Sequence, residues 1–316
     1  MKKFRYLIPI IGLALISHSC SQIDQARIPD ILKAANVRIQ LNPNYSTLRA
    51  DDISNAKIEF SVFSENKNID QVELSAQYYN FAGDTLYARR RVKVFKQSDF
   101  DAVNGAIKNV TYTSSDLAAL FGLASSNDLG GGDRFDFFNV TKLTNGLIFP
   151  DTLPLPGETT NLSPAIVNTS ATTSFSVGFT IYVACPINPQ FGTGDYMLEQ
   201  ISGPDDPFFG NPTRWAPEKV NITAVSPIER TFGGKYFTFD IPFNFLLICG
   251  KVLVGTTSSG LSCGGPDLSW KSTNPPGTYN EADDKVIMIQ LLDNVDGGCG
   301  LPAGEPLTLK LTKVTN

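Results

Sequence analysis

The sequence predicts an all-β protein with two antiparallel β-sandwich domains, placed after a signal peptide and a short tether. Three observations predict this class. Apolar and polar residues alternate through most of the chain after residue 37, which is the pattern of half-buried strands. The 26 glycines and 20 prolines among 316 residues supply many turns, and only one short segment has a helical pattern.

The first 19 residues have the pattern of a secretory signal peptide. Three basic residues among the first five precede the apolar run 7–16, which is too short for a bilayer that needs about 20 residues. Residues 17–20 read Ser-His-Ser-Cys, which resembles a bacterial lipobox. The resemblance implies that Cys20 is acylated and anchors the mature chain. The alternative is an ordinary signal peptide followed by a chance cysteine.

The single histidine, His18, lies inside this predicted signal peptide. A mature chain without histidine excludes Ser-His-Asp and Cys-His nucleophilic sites and histidine-ligated metals. The net charge of −5 becomes more negative once the basic signal peptide is removed. Nucleic acid is therefore not an expected partner, because its phosphates require a basic surface. We expect no cofactor and no metal.

The chain after the signal peptide divides into four segments. Residues 20–34 are polar and form the predicted tether. Residues 35–150 form the first domain, with period-two strands, one helix at 116–121 capped by Ser114 or Ser115, and a glycine turn at 130–133. Residues 150–170 contain four prolines, so 151–170 is the predicted linker. Residues 171–316 form the second domain, which has long alternating runs such as 237–249.

The four remaining cysteines all lie in the second block, which predicts two disulfides in an exported domain. They are Cys185, Cys249, Cys263 and Cys299. The short separation of Cys249 and Cys263 favours a hairpin-like bridge, with Cys185 paired to Cys299, although other connectivities remain open. A zinc site is disfavoured because no Cys-x-x-C pair is present.

Aromatic residues in the second block predict a ligand-binding surface. The segment 208–215 places three aromatic rings and an arginine among Gly, Pro and Asn, and apolar sugar faces stack on exposed rings. For Phe208, Phe209 and Trp215 we favour the other interpretation, in which these rings close the end of the sandwich core, and we keep ligand binding as the functional hypothesis. The candidate binding residues are Phe208, Phe209, Arg214, Trp215, Trp270 and Tyr279. The acidic run 293–298 lacks the spacing of a calcium loop and is predicted to be a solvated turn.

Several segments, including 184–186, 194–196 and 279–300, resemble those of Bacteroidetes-type outer-membrane lipoproteins, and the layout is similar to that of SusE-like accessory lipoproteins of glycan uptake. The resemblance rests on the lipobox at Cys20, the immunoglobulin-like strand pattern of the first domain and the disulfide-stapled second domain. It implies a lipid-anchored protein of the outer membrane, periplasmic or surface-exposed. It also implies glycan or outer-membrane transporter components as partners, and it defines no catalytic residues.

The leading functional hypothesis is a non-enzymatic, lipid-anchored envelope protein that acts as a surface binding module, with glycan as the first candidate ligand. One alternative is a structural or adhesive surface protein that docks to other outer-membrane proteins. A second alternative is a glycosidase that uses two carboxylates, because that chemistry needs no histidine.

Overall fold

The computed structural model describes residues 37–64, 67–149, 175–176 and 178–314. The described chain is all-β with one short α-helix, as predicted. The predicted signal peptide, Cys20, the tether and the linker lie outside the described residues. Within the described ranges, no helix is both long enough and apolar enough to span a membrane.

The described residues between 37 and 184, called here the first part, contain eleven strands and the helix α1 (Ser114–Leu120). The strands are β1 (Val37–Leu41), β2 (Leu48–Arg49), β3 (Lys57–Ser64), β4 (Ile69–Asn80), β5 (Thr85–Leu86), β6 (Arg90–Phe95), β7 (Ala106–Thr113), β8 (Arg134–Leu143), β9 (Ile148–Phe149), β10 (Phe175–Ser176) and β11 (Gly178–Ala184). One sheet has the order β10-β1-β3-β7, and the other has the order β2-β11-β8-β4-β5, with β6 paired to β4 and β9 to β8.

The core of the first part lies between these two sheets. Alternate residues of β3 and β8 are buried, as a strand with one inward face requires. The ring of Phe60 on β3 packs against Phe137 on β8 and Phe179 on β11, at centroid distances of 6.4 and 5.2 Å. The two sheets therefore face each other across an aromatic core.

The helix confirms the prediction from its local pattern. The Thr113 hydroxyl accepts a hydrogen bond from the Asp116 N–H at 3.1 Å, and the Asp116 carboxylate accepts one from the Thr113 N–H at 2.9 Å. This reciprocal pair is a capping box, which places the N-cap at Thr113, one residue before the predicted cap. Leu117 and Ala118 are buried, so this face of the helix packs against the rest of the first part.

Residues 194–313 contain ten strands of a single sheet. They are β12 (Gly194–Ser202), β13 (Glu218–Ala224), β14 (Glu229–Tyr236), β15 (Phe239–Ile248), β16 (Lys251–Leu253), β17 (Thr257–Ser258), β18 (Ser269–Ser272), β19 (Gly277–Asn280), β20 (Asp283–Asp293) and β21 (Glu305–Lys313). The order is β17-β18-β20-β19-β16-β15-β14-β13-β12-β21, and β20 also pairs with β21.

This last pairing closes eight strands, β12–β16 and β19–β21, into a ring, which we call the closed sheet. The sequence predicted a sandwich here, but a period of two shows only that each strand has an apolar face. The same period occurs in a single sheet whose two edge strands pair with each other and in a sandwich of two separate sheets, so it cannot distinguish these two architectures. The inward residues include Phe232, Phe243, Phe245, Leu247, Ile289 and Leu309.

The sheets of the first part extend beyond residue 171, where the second domain was predicted to begin. The strand β11 lies between β8 and β2, and β10 pairs with β1, so both belong to the first part. Residues 175–184, which the sequence pattern assigned to the second domain, therefore complete the sheets of the first. The alternating pattern of β11 is the same in either sheet, so pattern alone could not assign it.

The disulfides join Cys185 to Cys249 and Cys263 to Cys299, so the pairing favoured from the sequence is wrong. Cys249 lies in the tight turn between β15 and β16, next to the end of β11, where it meets Cys185. Cys263 and Cys299 come together because β18 pairs with β20, and the two cysteines lie in the loops beside this strand pair. The partners are set by non-local strand pairing rather than by separation along the chain.

Candidate ligand-binding tip of the closed sheet

Three aromatic rings are exposed at one end of the closed sheet. Phe208 is 46% exposed, Phe209 55% and Phe239 49%. The ring centroids of Phe209 and Phe239 lie 6.2 Å apart with an interplanar angle of 68°. We call these three residues the aromatic tip. An exposed group of large apolar side chains is unusual on a monomeric protein and indicates an interaction site.

Asp206 holds the loop that carries two of these rings. Its side chain is buried, and Oδ1 accepts hydrogen bonds from the N–H groups of Phe208 and Phe209 at 2.9 and 3.1 Å. Oδ2 accepts a bond from Asn211 Nδ2 at 2.8 Å. The carboxylate therefore fixes the backbone on both sides of the exposed rings. A ring that is already ordered loses less conformational entropy when it binds a ligand.

The third ring begins β15 after a tight turn. Tyr236 pairs with Phe239, which leaves Phe237 and Thr238 as the two turn residues, with φ of 47° and 71°. Two positive φ values suit a type I′ hairpin turn, a position normally taken by Asn and Gly. Phenylalanine in this region is strained, and such strain persists only where the surroundings impose it.

The surroundings of Phe237 supply that constraint. Its ring is buried, with centroids 4.5 Å from Tyr236 and 5.3 Å from Phe208. The guanidinium carbon of Arg214 lies 5.4 Å from the same ring. The strained turn and the Asp206 loop are therefore packed together through Phe208 and Phe237, so the tip is one structural unit.

A buried ion cluster lies beneath the tip. Arg214 donates from Nη1 to Asp293 Oδ2 and from Nη2 to Glu305 Oε2, both at 2.6 Å. The Tyr236 hydroxyl donates to the other oxygen of Asp293 at 2.8 Å. Burial raises the pKa of Asp293, and the bonds from Arg214 and Tyr236 offset this only in part. Arg214 was predicted to contact ligand, but its guanidinium is committed to the cluster.

Three other predicted binding residues are also buried, which corrects that part of the prediction. Trp215 and Trp270 are fully buried in the closed sheet, with ring centroids 5.6 Å apart, and both contact Phe243. Tyr279 is buried against Phe191. These three rings cannot stack on a sugar outside the protein. Closure of the core, the interpretation made from the sequence for Phe208, Phe209 and Trp215, is confirmed for Trp215.

Phe208 and Phe209 are thus the predicted residues that remain as candidates. Phe239 was not predicted as a binding residue, because from the sequence it was only part of the alternating run 237–249. Phe239 continues the alternation of Ile241 and Phe243, whose side chains are buried. It lies at the end of its strand, where the same face extends past the core. The exposure of Phe239 could have been inferred from its position, because it is the first residue after a two-residue turn.

A cleft of about 260 Å³ lies beside the tip. Asn211, Lys235 and Thr238 line it with exposed polar side chains, and Pro212 and Pro217 form part of its apolar wall. Amide, ammonium and hydroxyl groups can each hydrogen-bond a sugar hydroxyl. The tip and cleft together place apolar rings next to polar donors and acceptors.

The acidic run 293–298 is used for structure. Asp293 binds Arg214, and Asp296 accepts a bond from the Ser269 hydroxyl at 2.8 Å. The Asn294 amide donates to the carbonyls of Leu301 and Pro302 at 3.1 and 3.0 Å. Throughout the part of the chain that the structure describes, no group of three or more His, Cys, Asp or Glu residues could hold a metal ion.

No family model matches this chain, and no curated protein matches it. Among solved structures, the sporulation control protein Spo0M from Bacillus subtilis is similar at 12% identity and a TM-score of 0.21, covering 71% of this chain and 78% of that one. A protein of unknown function from Bacteroides ovatus is similar at 8% identity and a TM-score of 0.20, covering 87% and 89%. At such TM-scores, neither likeness carries an argument about this chain.

Proposed function

We propose that this protein is a non-enzymatic, lipid-anchored envelope protein that binds glycan at the aromatic tip. The observation that carries the proposal is the exposed pair of rings, Phe209 and Phe239, held in place beside a polar cleft. Sugar rings have apolar faces that pack on aromatic side chains and hydroxyl groups that need hydrogen-bond partners. The tip offers both within one ordered surface.

The geometry also indicates the shape of the ligand. Because the two rings meet at 68°, they form two walls of a corner rather than one flat platform. A corner of this kind fits a glycan that bends at a linkage or ends there, whereas a straight, flat polymer would contact only one wall. The first part, proposed as an immunoglobulin-like sandwich, would act as a spacer that precedes this binding module in the chain.

The test of the tip is binding by single-ring variants. Phe209→Ala and Phe239→Ala are each expected to weaken retention in polysaccharide affinity gels by roughly tenfold, because each removes a central aromatic contact. Both side chains are half exposed, so thermal unfolding should change little. Tyr45→Ala, which removes a partly exposed ring from the first part, is the matched control and should bind like the wild type.

Two results would count against a glycan at the tip. The first is an absence of retardation of the wild-type protein by any polysaccharide in a broad panel. The second is equal binding by the wild type and both tip variants. Release of reducing sugar in the same incubations would favour the glycosidase alternative instead.

The lipid anchor has its own test. Changing Cys20→Ala in cells that process lipoproteins is expected to move the protein from the membrane fraction to the soluble fraction, because the acylated residue is lost. Metabolic labelling with a palmitate analogue should mark the wild type and not the variant. A wild-type protein that is soluble and unlabelled would contradict the anchor.

A second candidate function, docking to another envelope protein, is favoured by a different surface. Met197 and Val286 are exposed on β12 and β20, and each pairs with Thr312 on the intervening strand β21. They lie on the outer face of the closed sheet, on either side of Thr312, and exposed apolar side chains so placed suit a protein interface. A stable complex that survives the tip variants would favour docking over glycan binding.

A further inference from the structure

A second and larger cleft lies at the junction of the first part and the closed sheet. Its volume is about 370 Å³, which falls at the lower end of the range of about 300–1,000 Å³ for small-molecule sites. Residues of both parts line it, and we call it the junction cleft. Its apolar lining consists of Phe81, Leu246, Leu253, Val254 and Leu292.

The two walls of the junction cleft are fixed to each other. The disulfide from Cys185 to Cys249 joins the end of β11 to the turn after β15. Lys251 donates from Nζ to the carbonyl of Gly131 at 3.4 Å, and the same ammonium lies 4.3 Å from the centroid of the Phe81 ring. The cleft is therefore a preformed concavity rather than a space between independently moving parts.

The charged groups of the junction cleft are mainly positive. Arg134 and Lys271 line it, against the single carboxylate of Asp84. Asp84 already accepts a hydrogen bond from the Tyr79 hydroxyl at 2.6 Å. Arg134 already forms an ion pair with Asp136 at 3.1 Å, so Lys271 is, among the described residues, the lining cation without an ion pair. It favours an anionic ligand.

Several donors in the cleft remain available. The Arg134 guanidinium uses Nε for Asp136 at 3.1 Å and packs 4.8 Å from the centroid of Tyr79, so its two terminal nitrogens are open to a ligand. Among the described residues, neither the Tyr182 hydroxyl nor the Lys271 ammonium has a hydrogen-bond partner. Guanidinium, ammonium and phenol groups are suited to bind a carboxylate.

We propose that the junction cleft binds a small organic acid that combines a carboxylate with a ring, of the sugar-acid type. The carboxylate binds Arg134, Lys271 and Tyr182, and the face of the ring packs on the apolar lining near Phe81. This site is separate from the aromatic tip and does not depend on the function proposed there.

The test is a calorimetric titration of the full mature protein with sodium glucuronate and sodium galacturonate, with glucose as the neutral probe. At least one uronate is expected to bind more tightly than glucose by about tenfold or more, because a charge-assisted hydrogen bond is gained. Lys271→Ala should weaken that binding by about tenfold, and Tyr182→Phe should weaken it to a smaller extent.

A control variant shows whether uronate binds in the junction cleft or elsewhere on the protein. Lys285→Ala removes an equally charged but exposed lysine away from the cleft. It should bind uronate like the wild type, and all variants should keep the wild-type melting temperature. The proposal is overturned if neither uronate binds at millimolar concentration, if glucose binds equally well, or if Lys271→Ala has no effect in a folded protein.

Discussion

Replacing Arg214 with alanine is expected to lower the free energy of unfolding by about 3–5 kcal/mol. The guanidinium is almost fully buried and satisfies two carboxylates at once, Asp293 and Glu305. Its removal leaves the buried carboxylate of Asp293 with only the Tyr236 hydroxyl as a side-chain partner. An uncompensated buried charge costs far more than the mutual attraction of an exposed pair contributes.

Urea unfolding followed by tryptophan fluorescence measures this effect, because both tryptophans lie in the same core. The matched control is Arg49→Ala, which breaks an ion pair of the same length, 2.6 Å, between exposed side chains. The control should leave the midpoint unchanged. An Arg214→Ala midpoint equal to that of the control would show that the cluster does not stabilise the fold.

Removing the bridge between Cys185 and Cys249 with paired serines is expected to cost about 4 kcal/mol. The bridge closes a loop between residues 64 positions apart, and a cross-link over a long loop restricts the unfolded chain strongly. The second bridge, Cys263 to Cys299, closes a loop of 36 positions, so paired serines there should cost slightly less.

The two serine pairs are compared by urea unfolding under non-reducing conditions. Peptide mapping of the wild type without reduction should recover a peptide pair that contains Cys185 and Cys249. Recovery of Cys249 linked to Cys263 would contradict this connectivity. A loss of stability below about 1 kcal/mol in the first serine pair would show that the bridge does not restrict the unfolded state in this way.

The strands were predictable because their signal is local. The alternation in β3, β8 and β15 appears directly in the burial of successive residues. Pairing partners are not local. Nothing in the sequence of β11 shows that it lies between β2 and β8, and nothing in β21 shows that it contacts both β12 and β20. The closed sheet and the disulfide connectivity both depend on such non-local pairs.

The candidate site was predictable to a smaller extent. The unusual composition of the segment 208–215 indicated the loop that carries Phe208 and Phe209. Composition could not separate these exposed rings from Trp215 in the same segment, because burial depends on which side of the loop meets the core. Phe239 was missed because its role depends on a contact between the loop and a hairpin farther along the chain. The buried carboxylate of Asp206 was missed although its hydrogen bonds are local, because nothing in the composition separated it from the other acidic residues.

The position of β21 has a consequence for how the protein matures. It is the last strand of the described chain, and it fills the gap between β12, the first strand of the closed sheet, and β20. Because synthesis starts at the N-terminal end of the chain, both of these edges stay unpaired until residues 305–313 have been made. Exposed strand edges can pair with other chains, so the interval before β21 arrives is when a nascent molecule is most vulnerable to aggregation.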